Sequence, residues 1–183
     1  MNAKAHVVTA VALGALTLVG ARAMASPDQS APSIASVVDG RISSIEKRVV
    51  GVAEAMPEEK YSFVPTNGEF KGVMSFADQI KHIGDDNYGA FGAFLTETHP
   101  AGPAGTSKAE LVAYVRGAFA FAHRAVATIS SDNAVTPLPK EPRLTRLGLA
   151  LEEIGHSENH YGQLVEYLRM NGIIPPASRP QTK

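Results

Sequence analysis

Four long segments of this 183-residue chain repeat their apolar residues at steps of three and four, and almost nothing alternates as a strand would. This spacing puts the apolar side chains on one stripe of an α-helix, and that stripe has to be buried against another helix. Four amphipathic helices of about 20 to 28 residues predict an all-α domain, a four-helix bundle. The predicted helices cover residues 33–56, 75–96, 106–129 and 144–171.

Local signals bound these segments. Pro57 ends the first helix, Ser75 is a candidate N-cap with Asp78 at the capping-box spacing, and Gly172 is a natural stop for the fourth helix. The three connections are each long enough to cross the bundle rather than reverse tightly. The residues alone therefore leave the order of the helices open.

The first 25 residues are predicted to be a secretory signal peptide. Val7 to Gly20 is an uncharged apolar run of fourteen residues, and Ala23 and Ala25 are small residues three and one before the predicted cut. The alternative is a membrane anchor, but a span needs roughly 20 apolar residues. We therefore expect a protein exported to the periplasm or the medium, with one bundle domain over residues 26–183.

Composition excludes several classes of site and partner. The chain contains no cysteine, so disulfides, thiol nucleophiles, thiolate metal ligands and covalent c-type haem attachment are excluded. After removal of the predicted signal, fifteen basic residues face eighteen acidic ones, and no basic run occurs. Neither nucleic acid nor a membrane surface is therefore an expected partner of the mature chain. Any bound metal has to be held by nitrogen and oxygen.

Two of the six histidines, His156 and His160, stand four residues apart on the predicted fourth helix. That spacing is one helical turn, so both imidazoles project from one stripe, as two ligands of one ion would. His82 on the predicted second helix can supply a third nitrogen, which leaves a fourth coordination position open. The alternative is that these histidines are hydrogen-bonded or solvated.

Two known metal motifs do not fit the residues around this pair. A zincin helix needs Glu directly after its first His, but Ser157 stands there and Glu158 projects from the opposite face. A di-iron carboxylate bundle needs two Glu-x-x-His elements. Glu153 and His156 form one, but Gln79 occupies the place of the second Glu, so the second element is missing.

The chain carries Tyr61-x-Phe63-x-Pro65, then His82, then His156-x-x-x-His160 followed by Gly162-Gln163-Leu164-x-x-Tyr167-Leu168-Arg169. In these motifs, and over nearly all of the mature chain, it resembles the DinB/YfiT-like family of metal-dependent bundle proteins. The resemblance implies an up-down-down-up bundle and a divalent ion held by His82, His156 and His160. Relatives include cytosolic thiol-dependent transferases and isomerases. The predicted signal departs from them, which puts a thiol cosubstrate in doubt.

Several other residues are candidates with a structural alternative. Asp86, Glu153 and Tyr167 are candidate catalytic groups, although the two acids could equally be solvated and the tyrosine could be core. Gln163 is placed on the same interior stripe as His160. Of the remaining histidines, His123 is expected to be packed or hydrogen-bonded and His99 to be exposed.

Two functions follow from these observations. The first is a metal-dependent hydrolase or transferase for a small-molecule substrate, using a three-histidine site with an open position. The second is a non-catalytic metal- or ligand-binding bundle outside the cytoplasm. The expected ion is divalent: zinc, nickel, iron or manganese. The residues do not decide whether the protein is an enzyme or whether it is a homodimer.

Overall fold

A computed structural model describes residues 31–95 and 97–180, and the residues from Pro32 onward form one compact unit. The described residues form four α-helices and two short 3-10 turns, with no β-strand among them, so the predicted all-α bundle is confirmed. The signal peptide predicted over residues 1–25 lies outside the described part. Within that part, no helix is both long and apolar enough to span a bilayer. The helices are α1 (Ile34–Ala55), α2 (Phe76–Gly92), α3 (Lys108–Val126) and α4 (Arg146–Met170).

The helix starts follow the predicted caps. Ser75 accepts a hydrogen bond from the Asp78 N–H and the Asp78 carboxylate accepts one from the Ser75 N–H, which completes a capping box. The last helix begins two residues later than predicted, because the side chain of Thr145 accepts from the Gly148 N–H and caps it. Gly172 lies just past the helix end at φ +72°, a conformation that glycine adopts without strain.

Helices α2 and α3 end earlier than their apolar periodicity predicts, at Gly92 and Val126 rather than near residues 96 and 129. The chain tightens after each helix: Phe94 N–H donates to Phe91 O, and Ile129 N–H donates to Val126 O, both across three residues. Phe94 and Ile129 are still buried. Their side chains therefore continue the core pattern although their backbone is no longer α-helical.

Helices α1 and α4 run parallel to each other, and α3 runs antiparallel to α1. The start of α4 lies beside the start of α1, where Leu147 and Val37 line one surface hollow. Contacts between α3 and α1 join opposite ends of the two helices: His123 near the end of α3 contacts Asp39 near the start of α1. Arg116, earlier in α3, pairs with Glu54 at the end of α1.

Helix α2 runs parallel to α3 and antiparallel to α4. Tyr88 packs on Phe121, and Met74, just before α2, accepts a hydrogen bond from Tyr167 late in α4. Helix α1 packs against α3 and α4, and α2 packs against the same two helices. The order is therefore up-down-down-up, as the resemblance implies.

The segment between α1 and α2 packs over one end of the bundle and fixes where α2 begins. The Tyr61 hydroxyl donates to Ala53 O over 2.7 Å, and the Ala77 N–H donates to Tyr61 O over 2.8 Å. Phe63 packs edge to face on Tyr167 of α4, with ring centroids 5.5 Å apart. This segment therefore holds the start of α2 against the end of α4, the two helices that carry the candidate ligands.

Candidate metal centre

His82 of α2 and His156 and His160 of α4 come together in the structure. One ring nitrogen from each residue lies within 4.8 Å of the other two, and the ring centroids are 4.6 to 5.0 Å apart. His160 is buried at 8% exposure, and the other two are partly exposed. These three side chains could hold a metal ion, with access from the side of His82 and His156.

Helices α2 and α4 approach closely beside the cluster through a small polar contact. Ser157 and Asn87 are both buried, and the Asn87 side-chain amide donates to Ile83 O over 2.8 Å and to Ser157 Oγ over 3.4 Å. A serine at this position leaves room for the facing helix, which a larger side chain would push away. No local sequence pattern predicts this contact, because it depends on the register of two antiparallel helices.

Gln79 contacts one ring nitrogen of His160, and His156 contacts the other. Nδ1 of His160 lies 3.2 Å from Gln79 Oε1, and its Nε2 lies 3.0 Å from Nε2 of His156. Burial is the main cause that lowers the pKa of His160 to about 4, and the neighbouring imidazoles of His156 and His82 contribute in the same direction. His160 is therefore neutral near pH 7, the state that a metal ligand requires.

Asp86 lies between the two partly exposed histidines. Its Oδ2 is 3.2 Å from Nδ1 of His156 and 3.3 Å from Nε2 of His82. A carboxylate at this distance favours a proton on Nδ1 of His156 and helps to fix the orientation of both rings. Asp86, one turn beyond His82, is therefore placed to orient both rings.

The resulting protonation pattern suits a cation. Acceptor oxygens face Nδ1 of both His156 and His160, and they draw the ring protons to those atoms. The two Nε2 lone pairs then face each other at 3.0 Å. Such a contact is favourable only with a positive charge between the nitrogens, either a shared proton or a metal ion. The donor set, three imidazoles with oriented rings, fits a divalent ion.

Glu153 is a buried acid next to the cluster. Its Oε2 is 3.8 Å from Nδ1 of His156, beyond hydrogen-bond distance, and has no hydrogen-bond partner within the described part of the chain. Burial is the main cause that raises the pKa of Glu153 to about 7, and the charges of Asp86 and Glu152 contribute in the same direction. A carboxyl group with a pKa near 7 can either give or take a proton under ordinary conditions.

The structure places Tyr167 and Gln163 outside this cluster. Tyr167 is buried, and its hydroxyl donates to Met74 O over 3.0 Å, so it joins α4 to the segment before α2. Gln163 is exposed and its amide lies 3.4 Å from Asn159 Oδ1. The interior position predicted for Gln163 is wrong, because helix rotation carries it out of the α2–α4 seam one turn beyond His160.

His123, His99 and Glu158 behave as predicted. His123 lies on the α1–α3 seam, with Nδ1 2.6 Å from Asp39 and Nε2 3.1 Å from Glu46, so it is a hydrogen-bonded histidine. His99 is exposed, although its ring stacks on Tyr88. Glu158 points away from the imidazoles and pairs with Arg48 of α1.

The sequence model of the DinB superfamily matches residues 41–164. This match begins in α1, ends in α4 and includes all three clustered histidines. A comparison with curated proteins finds no match.

Proposed function

Because the chain belongs to the DinB superfamily, we propose that it binds a divalent metal ion through His82, His156 and His160 and is a metal-dependent hydrolase or transferase. The observation that carries the metal-binding part is the pair of Nε2 atoms 3.0 Å apart, each on a ring whose Nδ1 faces an oxygen acceptor. When bound, a divalent ion in a three-histidine site supplies Lewis acidity at the positions that the protein leaves open. Zinc, nickel, iron and manganese all remain candidates.

The catalytic part rests on Glu153 and on the access to the cluster. Glu153 Oε2 lies beside His156 with no partner among the described residues and can exchange a proton with a substrate that enters there. His82, His156 and Asp86 are the members of the cluster that solvent reaches. We therefore place a small-molecule substrate on that side, with Asp86 orienting the rings.

A substrate screen tests this function. The purified protein, loaded separately with each of the four metals, is assayed against ester, amide and phosphoester hydrolase substrates and against thiol-transfer substrates, with and without chelator. We expect one class to turn over, with loss of activity on chelation and a decrease of about 100-fold or more in Glu153→Gln, the range of a lost general acid or base. The control is Glu166→Gln, an exposed glutamate of α4 that pairs with Arg169 on the surface.

The outcomes separate the two functions. If the metal binds but no substrate class turns over, the protein is the non-catalytic metal- or ligand-binding bundle instead. If Glu153→Gln retains full activity, the role assigned to Glu153 is wrong.

We also propose that the protein acts outside the cytoplasm, from the signal peptide predicted over residues 1–25. The intact mass of the exported protein tests this proposal: we expect a chain that begins at Ser26. A membrane-bound product that retains Met1 would contradict it.

A further inference from the structure

The bundle has a cavity of about 540 Å³ that belongs neither to the histidine cluster nor to the proposed function. It lies where α4 begins, between the segment that follows α2 and the loop that joins α3 to α4. Arg146 in its wall stands ten residues before His156, which is about 15 Å along the helix. The volume is in the range of small-molecule sites, roughly 300–1,000 Å³. Its lining includes Phe94, Leu95, Leu138, Pro139, Lys140 and Arg146.

The walls are mainly apolar. Phe94 and Leu138 are buried core residues, at 8% and 2% exposure, and Leu95 packs against the same core. The cavity is therefore an open groove between two connecting segments, with core residues at its base. Water against those core residues makes few hydrogen bonds, so an apolar group that displaces it gains free energy.

Arg146 is a polar residue of the lining with an unfavourable environment. Its Nε is buried and has no hydrogen-bond partner among the residues that the structure describes. A buried guanidinium nitrogen without an acceptor is unfavourable. Arg146 is also the first residue of α4, where the positive end of the helix dipole disfavours a cation. An anion bound beside Arg146 would relieve both effects.

The acids near the cavity do not supply that anion. Glu97 in the wall pairs with Arg124 over 2.9 Å. Glu141 is exposed at the rim next to the exposed Lys140, so the two charges offset each other in solvent. Neither acid therefore supplies an acceptor to the buried Nε of Arg146.

We propose that this cavity binds a small amphipathic carboxylate. The carboxylate accepts hydrogen bonds from the guanidinium of Arg146, whose planar fork matches it. The apolar body lies against Phe94, Leu95 and Leu138. The proposal goes beyond the metal-dependent function and does not require it.

Calorimetric titration with decanoate tests the proposal, with decanol as a neutral probe of the same length. We expect decanoate to bind more tightly than decanol, and Arg146→Gln to weaken decanoate by about 10-fold or more, as the loss of hydrogen bonds to a charged group predicts. The control Arg143→Gln removes an exposed arginine three residues earlier, outside the lining, and should leave binding unchanged.

A second variant tests the cavity without touching its charge. Ala93 lines the cavity but is exposed just after α2, so Ala93→Phe fills space with little effect on the core. We expect this variant to weaken decanoate while circular dichroism stays helical. His160→Gln, which damages only the histidine cluster, should bind decanoate like the wild type.

Three results with other probes or variants would overturn the proposal, besides retained affinity in Arg146→Gln: decanol binding as tightly as decanoate, full affinity in Ala93→Phe, or loss of decanoate binding in His160→Gln. The last result would place the ligand at the histidine cluster. Retained affinity in a folded Arg146→Gln protein would equally contradict it. Because the metal titration of the histidine variants is a separate measurement, failure here leaves the proposed function untouched.

Discussion

The residues around His160 show how a buried imidazole is prepared as a ligand. Gln79 is itself 1% exposed and holds Nδ1 of His160 through Oε1 at 3.2 Å. Partners of this kind fix the tautomer and the ring orientation of a metal-binding histidine. Gln79 occupies the place where a di-iron bundle needs Glu, so the same position that excludes one metal site supports another.

The first prediction concerns this contact. Gln79→Leu keeps the volume but removes the oxygen that faces Nδ1, so His160 can turn or take the wrong tautomer. We expect the metal affinity of the purified protein to decrease by about 10- to 100-fold, as for other hydrogen-bond partners of ligands. Metal titration in competition with a chromophoric chelator measures the change.

The matched control is Gln163→Leu, the exposed glutamine of α4. It should bind the ion like the wild type. Equal affinities in Gln79→Leu and Gln163→Leu would show that Gln79 does not position His160.

At the scale of the elements, His123 joins α3 to α1 through Asp39 and Glu46. Burial alone lowers the pKa of His123, but the hydrogen bonds and charges of the two carboxylates outweigh it and raise the pKa above 6.5. Because the folded protein binds this proton more tightly than the unfolded chain, His123 stabilises the fold fully below about pH 6.5. That stabilisation is lost as pH rises through the higher folded pKa.

The second prediction follows from the direction of this pH dependence of stability. His123→Gln should lower the melting temperature more at pH 6 than at pH 9, and thermal unfolding of the metal-free protein at both values measures the difference. His99→Gln, which changes an exposed histidine, is the control and should show no such dependence. A His123→Gln effect that is equal or larger at pH 9 would contradict the ion-pair assignment.

The sequence predicts the helices well because their signals are local. The Ser75 cap and the Gly172 stop act within one turn, and the structure confirms both. Apolar periodicity predicts the ends of α2 and α3 too far along the chain, because Phe94 and Ile129 continue the apolar pattern on 3-10 turns. Apolar periodicity indicates which side chains are buried, but it does not distinguish an α-helical turn from a 3-10 turn.

The candidate site was predictable in part for the same reason. The spacing of His156 and His160 is local, whereas the approach of His82 depends on the helix order, which only the family resemblance indicated. The contact of Gln79 with His160 depends on the exact register of α2 against α4. The burial of Arg146 Nε depends on the fold of two loops, so no local sequence pattern predicts it.

At the scale of the whole molecule, the bundle has a core that does not involve the histidines. The buried apolar residues form one continuous cluster, to which all four helices and the loops at both ends contribute side chains. Since burial of each large apolar side chain contributes about 1.5–3 kcal/mol before the loss of entropy, the ion is not needed to hold the helices together. The largest fully buried members are Tyr61, Phe76, Phe91, Phe119, Ile42 and Ile45.

The third prediction is that the fold survives removal of the metal. Far-ultraviolet circular dichroism of the chelated protein should remain strongly helical, with a cooperative thermal transition. A coil spectrum after chelation would show that metal binding and folding are coupled in this protein.

The central claim is that His82, His156 and His160 bind one divalent ion, and titration of bound metal across single alanine variants tests it most directly. His82→Ala, His156→Ala and His160→Ala should each lower the affinity by more than the roughly 10- to 100-fold that loss of a ligand's hydrogen-bond partner causes. His123→Ala and His99→Ala should bind like the wild type, because those imidazoles lie outside the cluster. Full affinity in His82→Ala, or an equal loss in His123→Ala, would contradict the three-histidine site.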